Sequence, residues 1–76
     1  MSLRFALPHA AQMRLALYDV GGRRVRELVR GERAAGEYAE AWDLRDASGA
    51  EVRAGLYFAR LEVEGQMRMQ RVVVFR

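Results

Sequence analysis

The chain has 76 residues, no cysteine and one histidine, His9. That length allows one small domain, residues 1–76, with a limited core; the lack of cysteine excludes disulfides and thiolate metal sites and the single histidine excludes a multi-histidine metal centre, while a hydrophobic content of 51% argues against disorder. The net charge of +3 is carried by 13 Arg and no Lys, and the joint absence of Lys, Ile, Asn and Thr points to GC-rich coding rather than to a selected polyanion site.

The first element is Leu3-Arg4-Phe5-Ala6-Leu7. Its apolar residues alternate, which is the period of a half-buried strand, and Pro8 ends it. Met1-Ser2-Leu3-Arg4 leads straight into this alternation, not into an apolar targeting segment. Gln12 to Tyr18 alternates again, with Met13, Leu15 and Leu17 on one face. Asp19 to Gly22 supplies turn residues. Arg23 to Arg30 follows as a strand with Val25 its surest inward residue, and Leu28-Val29 breaks its alternation, which predicts a bulge.

Gly31 to Gly36 reads as a polar connection. Glu37 to Asp43 is the next strand, with Tyr38, Glu40 and Trp42 on one face. Leu44 to Ala50 is a loop in which Asp46-Ala47-Ser48-Gly49 forms a turn, and Glu51-Val52-Arg53 reads as a short strand before Gly55. Leu56 to Val63 is the clearest strand, with Tyr57, Ala59, Leu61 and Val63 on one face. Glu64-Gly65 has the form of a two-residue type I′ hairpin turn. Gln66 to Phe75 closes the chain; its apolar residues suggest a change of face near Arg71, by a bulge or by burial on both sides. No apolar run reaches the ~20 residues of a membrane-spanning helix. The whole is an all-β, Ig-like antiparallel β-sandwich of about seven short strands.

Chemistry is thinly supplied. The aliphatic hydroxyls are Ser2 and Ser48, and His9 follows Pro8 with no obvious orienting partner. The Gly21-Gly22 pair lacks the Lys and Ser/Thr of a phosphate-binding loop, so it reads as backbone for a turn, with Asp19 and Arg23 fixing it. Asp43 and Asp46 can be read as contributors to a calcium site; capping of backbone N–H groups in the turn is the simpler reading. Arg23, Arg24, Arg26 and Arg30, extended by Arg68, Arg71 and Arg76, can be read as a basic edge for nucleic acid, but Glu27 and Glu32 interrupt it and no aromatic stacking motif accompanies it. Trp42 and Tyr57 read as core residues, the tyrosine hydroxyl tying a loop back. No cofactor, catalytic residue or nucleic-acid partner is expected.

The order of these signals resembles a known family. Phe5-Ala6-Leu7-Pro8 is followed by Leu17-Tyr18-Asp19-Val20-Gly21-Gly22-Arg23-Arg24-Val25, then Ala35-Gly36, Trp42-Asp43, Arg45-Asp46-Ala47-Ser48-Gly49, Val52-Arg53-Ala54-Gly55-Leu56-Tyr57-Phe58, Gly65 and Arg71-Val72-Val73-Val74. This resembles the C-terminal sorting domain of bacterial type IX secretion cargo, type A, and is similar to the Ig-like domain of the flagellar hook-capping protein. The first resemblance implies a non-enzymatic sorting or cell-surface attachment module. Its partners would be an N-terminal passenger and the outer-membrane secretion machinery. Its location would be secreted or on the surface of a Gram-negative bacterium, reached through the periplasm. The second implies a structural assembly module that packs between subunits.

The resemblance to the sorting family points to Tyr18, Asp19, Gly22, Arg23, Gly55, Tyr57, Arg71, Val72, Val73 and Val74 as recognition or family-motif positions. It points to Trp42, Asp43, Asp46 and Gly49 as structural ones. Where such domains commonly have Gly after Trp-Asp, this chain has Leu44; where they carry an apolar residue two before Trp, it has Glu40; and where a Lys opens the last strand, it has Arg71. Glu40 on a core-facing position requires a sheet edge or an Arg partner. Met1 on a normally C-terminal piece is the expectation of an excised or engineered segment.

Overall fold

The structure, a computed structural model, describes residues 1–75. Six antiparallel strands form it: β1 (Ser2–Leu7), β2 (Ala11–Asp19), β3 (Arg24–Arg33), β4 (Gly36–Ala41), β5 (Gly55–Val63) and β6 (Gln66–Val74). They divide into a two-stranded sheet, β1-β4, and a four-stranded sheet in the order β3-β2-β5-β6. Two antiparallel sheets facing each other over one apolar layer make the expected all-β, Ig-like sandwich.

The core follows from period-2 alternation. Met13, Leu15 and Leu17 of β2, Val29 of β3, Tyr57 and Ala59 of β5, and Val72 and Val74 of β6 meet Leu3 and Leu7 of β1 and Trp42. Leu17 has no exposed surface and lies opposite Ala59, a small partner that leaves room for it at the centre of the sheet. β3 carries two register irregularities against β2: the pairs Leu15↔Val29 and Ala16↔Glu27 skip Leu28, and Leu17↔Arg26 and Tyr18↔Arg24 skip Val25. The bulge expected at Leu28-Val29 is thus present. It lets adjacent Leu28 and Val29 both pack toward the core.

Five expectations need correction. There are six strands among the described residues, not about seven, because Glu51-Val52-Arg53 contributes only an isolated bridge, Arg45↔Glu51. The segment 31–36 is not a connection: β3 runs on to Arg33, Gly31 sits opposite Met13, and only Ala34 and Ala35 separate β3 from β4. β4 ends at Ala41, so Trp42 and Asp43 lie just beyond it. Val25 packs inward against the core but is only half-buried, and the surest inward residue of β3 is the fully buried Val29. Finally, β6 changes face nowhere. Its ladder with β5 is continuous from Val63↔Gln66 to Gly55↔Val74; Val72 and Val74 point inward, while Met67, Met69, Val73 and Phe75 stand about half or more exposed.

Glu40 meets both conditions set for it. It lies on an edge strand, on the same face as its partner Leu3, and its carboxylate takes Arg33 Nη1 at 3.3 Å.

Candidate interaction surface

The LYDVGGRRV stretch spans the β2–β3 turn. Asp19 N–H donates to the Arg23 carbonyl at 3.0 Å and Gly22 N–H to the Asp19 carbonyl at 3.1 Å. The Asp19 Oδ1 atom accepts the N–H groups of Gly21 (3.0 Å) and Arg23 (2.9 Å). Gly22 has φ 84°, the left-handed region where a Cβ is strained. The turn is therefore fixed by Asp19, and Arg23 enters it through its backbone rather than its side chain. Asp19→Ala leaves two turn N–H groups to water and is expected to lower unfolding free energy by about 1 kcal/mol, with Asp19→Asn close to wild type; a urea melt reads both, and equal losses for the two would remove the acceptor role.

Strand register brings the motif positions together at this end of the large sheet. Arg24, Tyr18, Phe58 and Arg71 form one row across all four strands, and Asp19, Tyr57 and Val72 form the next. Gly55 faces Val74 and Leu56 faces Val73 in the rows beyond. On the inner face Trp42 meets Tyr57 edge-on, with ring centroids 5.7 Å apart at 71°. Trp42 Nε1–H donates to the Arg45 carbonyl at 3.0 Å. The Tyr57 hydroxyl donates to the Arg53 carbonyl at 2.7 Å, the loop tie expected of it.

The 42–54 loop is a knot of side-chain caps. Asp46 Oδ1 accepts Ser48 N–H (2.9 Å), Ser48 Oγ–H (2.6 Å) and Ala50 N–H (3.0 Å), and Gly49 turns with φ 90°. Asp43 Oδ1 accepts Arg45 N–H at 3.1 Å and Arg26 Nη1 at 2.9 Å. Both carboxylates are thus engaged as caps, and no cluster of three metal-ligating side chains occurs among the described residues. Leu44 has φ 63°. This left-handed position explains the glycine common there in similar domains; here Leu44 packs against the core and holds Val52 N–H on its carbonyl at 2.9 Å.

The arginines do not make one basic edge. Those of β3 and β6 lie at opposite margins of the four-stranded sheet. On β3, Arg24 and Arg30 flank Glu27, and Arg26 pairs with Asp43. Arg76 lies outside the described residues. The outer face instead alternates signs: Arg14 donates Nε and Nη2 to Glu62 Oε2 at 3.1 and 2.9 Å, and Arg60 meets Glu62 at 2.7 Å while lying over the Tyr18 ring. His9 also differs from expectation, since its Nε2 bonds Glu64 Oε1 between the β1–β2 loop and the β5–β6 turn.

Three carboxyls are held below the ordinary range. Hydrogen bonding from Arg30 is the first cause for Glu27, from Arg14 for Glu62, and from the Ser48 hydroxyl for Asp46. A lowered folded-state pKa contributes stability that is complete above the unfolded value, about 4 for carboxyls, and is lost as pH falls through the folded value. The thermal midpoint is therefore expected to fall as the solution is acidified below about pH 4, and to fall less steeply in Glu62→Gln; an unchanged slope in that variant would count against the Arg14–Glu62 contact.

The four sheet edges differ. The β3 edge is covered where Ala47 N–H reaches the Val25 carbonyl at 3.0 Å and Arg26 reaches Asp43. The β4 edge is bound back to β3 by Arg33, which pairs with Glu40 and lies 5.4 Å over the Tyr38 ring. β1 and β6 face each other across a cleft of about 650 Å³, floored by Leu15, Ala59, Leu61 and Val63 and rimmed by Arg4, His9, Glu64 and Arg68.

Comparison with known proteins identifies the family. A family model described as the FlgD Ig-like domain matches residues 1–66. A crystal structure of FLGD from P. aeruginosa matches with a TM-score of 0.68 and 27% identity; the match covers 92% of this chain and 56% of that one, so the chain spans little more than half the length of that relative. No curated protein matches the chain. The type IX sorting reading is corrected by these findings: the family model and the matching structure are both FlgD, and neither carries a type IX signal. The short motifs that suggested sorting form, in this chain, the β2–β3 turn and the rows at one end of the large sheet. The ordered turns, the two-layer sandwich and the match over residues 1–66 place the chain in the FlgD Ig-like domain family.

Proposed function

We propose that this domain is a non-catalytic assembly module that packs against protein subunits, and that its place is in flagellar hook assembly. The observation that carries the reading is the match of residues 1–66 to the FlgD Ig-like domain. The surface supports it. Met67, Met69 and Val73 line the outward side of β6, an edge strand, with Phe75 just beyond its end, and the four are 50%, 54%, 48% and 85% exposed. An apolar stripe on an unpaired edge suits protein contact. A role without catalysis is supported by the groups that chemistry would need: the Ser48 hydroxyl and the Asp19, Asp43 and Asp46 carboxylates are all engaged in holding turns.

The test is an exchange. The Ig-like segment of P. aeruginosa FLGD is replaced in frame by residues 1–76, and hooks are counted by electron microscopy in a strain lacking its own copy. Hook formation is the expected result, reduced when Met69 and Val73 are both changed to Ser. A chimera that accumulates in folded form but yields no hooks would overturn the reading.

A further inference from the structure

The sandwich is closed on one side and open on the other. Ion pairs and a docked loop seal the β3/β4 side, whereas β1 and β6 leave their edges unpaired across the cleft. The imbalance of two strands against four leaves Phe5, Leu61 and Val63 only partly buried although they pack on the core. An unpaired strand edge presents N–H and C=O groups ready for another strand. The cleft therefore combines a main-chain template with an apolar floor, which is the arrangement for strand addition.

Charge selects the occupant. β6 carries no acidic residue, and Arg4 and Arg68 line the cleft with no carboxylate partner among the described residues. Among the described residues the one acid on its rim, Glu64, is already bonded to His9.

We propose that the β1/β6 cleft receives an extended acidic strand from a partner polypeptide, apolar at alternate positions, which adds to the free edge of β1. At alternate positions its apolar side chains cover Leu61 and Val63 while its carboxylates lie on the outward face beside the Arg4 guanidinium; Arg68, paired with Leu61 on the facing edge, adds positive charge across the cleft. Carboxylate–guanidinium pairs fix register and orientation as well as attraction. The proposal names a partner class for the assembly role above and rests on it for its biological setting. Its test requires no hook, so failure of one leaves the other standing.

The probe is a synthetic nine-residue peptide alternating Val and Glu, titrated into the 76-residue chain and followed by backbone amide chemical shifts. Comparators are the Val/Lys peptide and a peptide of the same Val/Glu composition with the alternation scrambled. The expected result is saturable binding of the alternating acidic peptide, weakened by salt, with shifts concentrated on β1 and the facing side of β6. Arg4→Glu/Arg68→Glu, two exposed changes, is expected to weaken it by roughly tenfold or more and to favour the Val/Lys peptide instead. Equal binding of all three peptides, shifts centred on β3 and β4, or no binding at millimolar peptide would each overturn the proposal. So would self-association through the same residues that the peptide fails to displace, since the occupant would then be a second copy.

Discussion

Trp42→Ala is expected to lower unfolding free energy by about 3–5 kcal/mol, the usual cost of truncating a buried aromatic. Trp42 is 1% exposed and among the largest fully buried side chains described. Truncation removes the edge contact with Tyr57 and leaves the Arg45 carbonyl without the indole N–H. It also frees the loop that covers β3, because Trp42 is where β4 hands over to that loop. Domains as small as this seldom have much stability in reserve. Far-UV circular dichroism in urea should therefore show the variant substantially unfolded at low denaturant. Trp42→Phe, which keeps most of the volume but loses the hydrogen bond, should fall between the two. A loss below about 1 kcal/mol for the alanine variant would show that the tryptophan is not the keystone its burial indicates.

Leu17→Ala is the second large effect, about 2–5 kcal/mol by the same measurement. Leu17 has no exposed surface and sits on a central strand, between the pairing partners Arg26 and Ala59. Ala59 is already small, so no large neighbour on that strand can lean in to fill the space, and the cost should lie toward the upper half of the range. Phe75→Ala is the counter-case. At 85% exposure the larger side chain should change stability by no more than about 0.5 kcal/mol. Comparable losses at the two positions would mean that β6 is packed differently from the arrangement described.

The sequence disclosed those features that depend on neighbours along the chain. Glu64-Gly65 predicts a type I′ hairpin, and both residues have positive φ, 49° and 78°, closing Val63 onto Gln66. The adjacent apolar pair Leu28-Val29 marks the bulge. Glu40 on an inward face announces an edge or an Arg, and both are present.

Features set by distant partners were not legible. Gly31 looks like a breaker, yet β2 is long enough to pair beyond it, so the strand continues. Alternation along β6 is the same whether its outer face meets protein or water, and only the edge position and the exposure of Met67, Met69 and Val73 show that no described residue covers it. The 42–54 loop has no periodicity because its order comes from Asp46, Trp42 and Tyr57 bonding to the backbone. The cleft could not be read at all, since β1 and β6 come from opposite ends of the chain. The choice between the two resembling families was equally out of reach of the motifs, because turn chemistry of the Asp19–Arg23 kind records a backbone shape and not a partner.

The register also governs how the chain must find its shape. The β2–β3 and β5–β6 hairpins close over short turns and can form in about 1–10 μs. The pairing that unites them is of another order: Met13 meets Val63, and in the second sheet Ser2 meets Ala41. Long loops must close before those contacts return any stabilisation, which places folding in the roughly millisecond-to-second range of sandwiches despite the short chain. Stopped-flow refolding should show that rate. Until β2 and β5 meet, each hairpin exposes an apolar face, and in that interval the many arginines act as solubilising charge that keeps two half-formed chains apart.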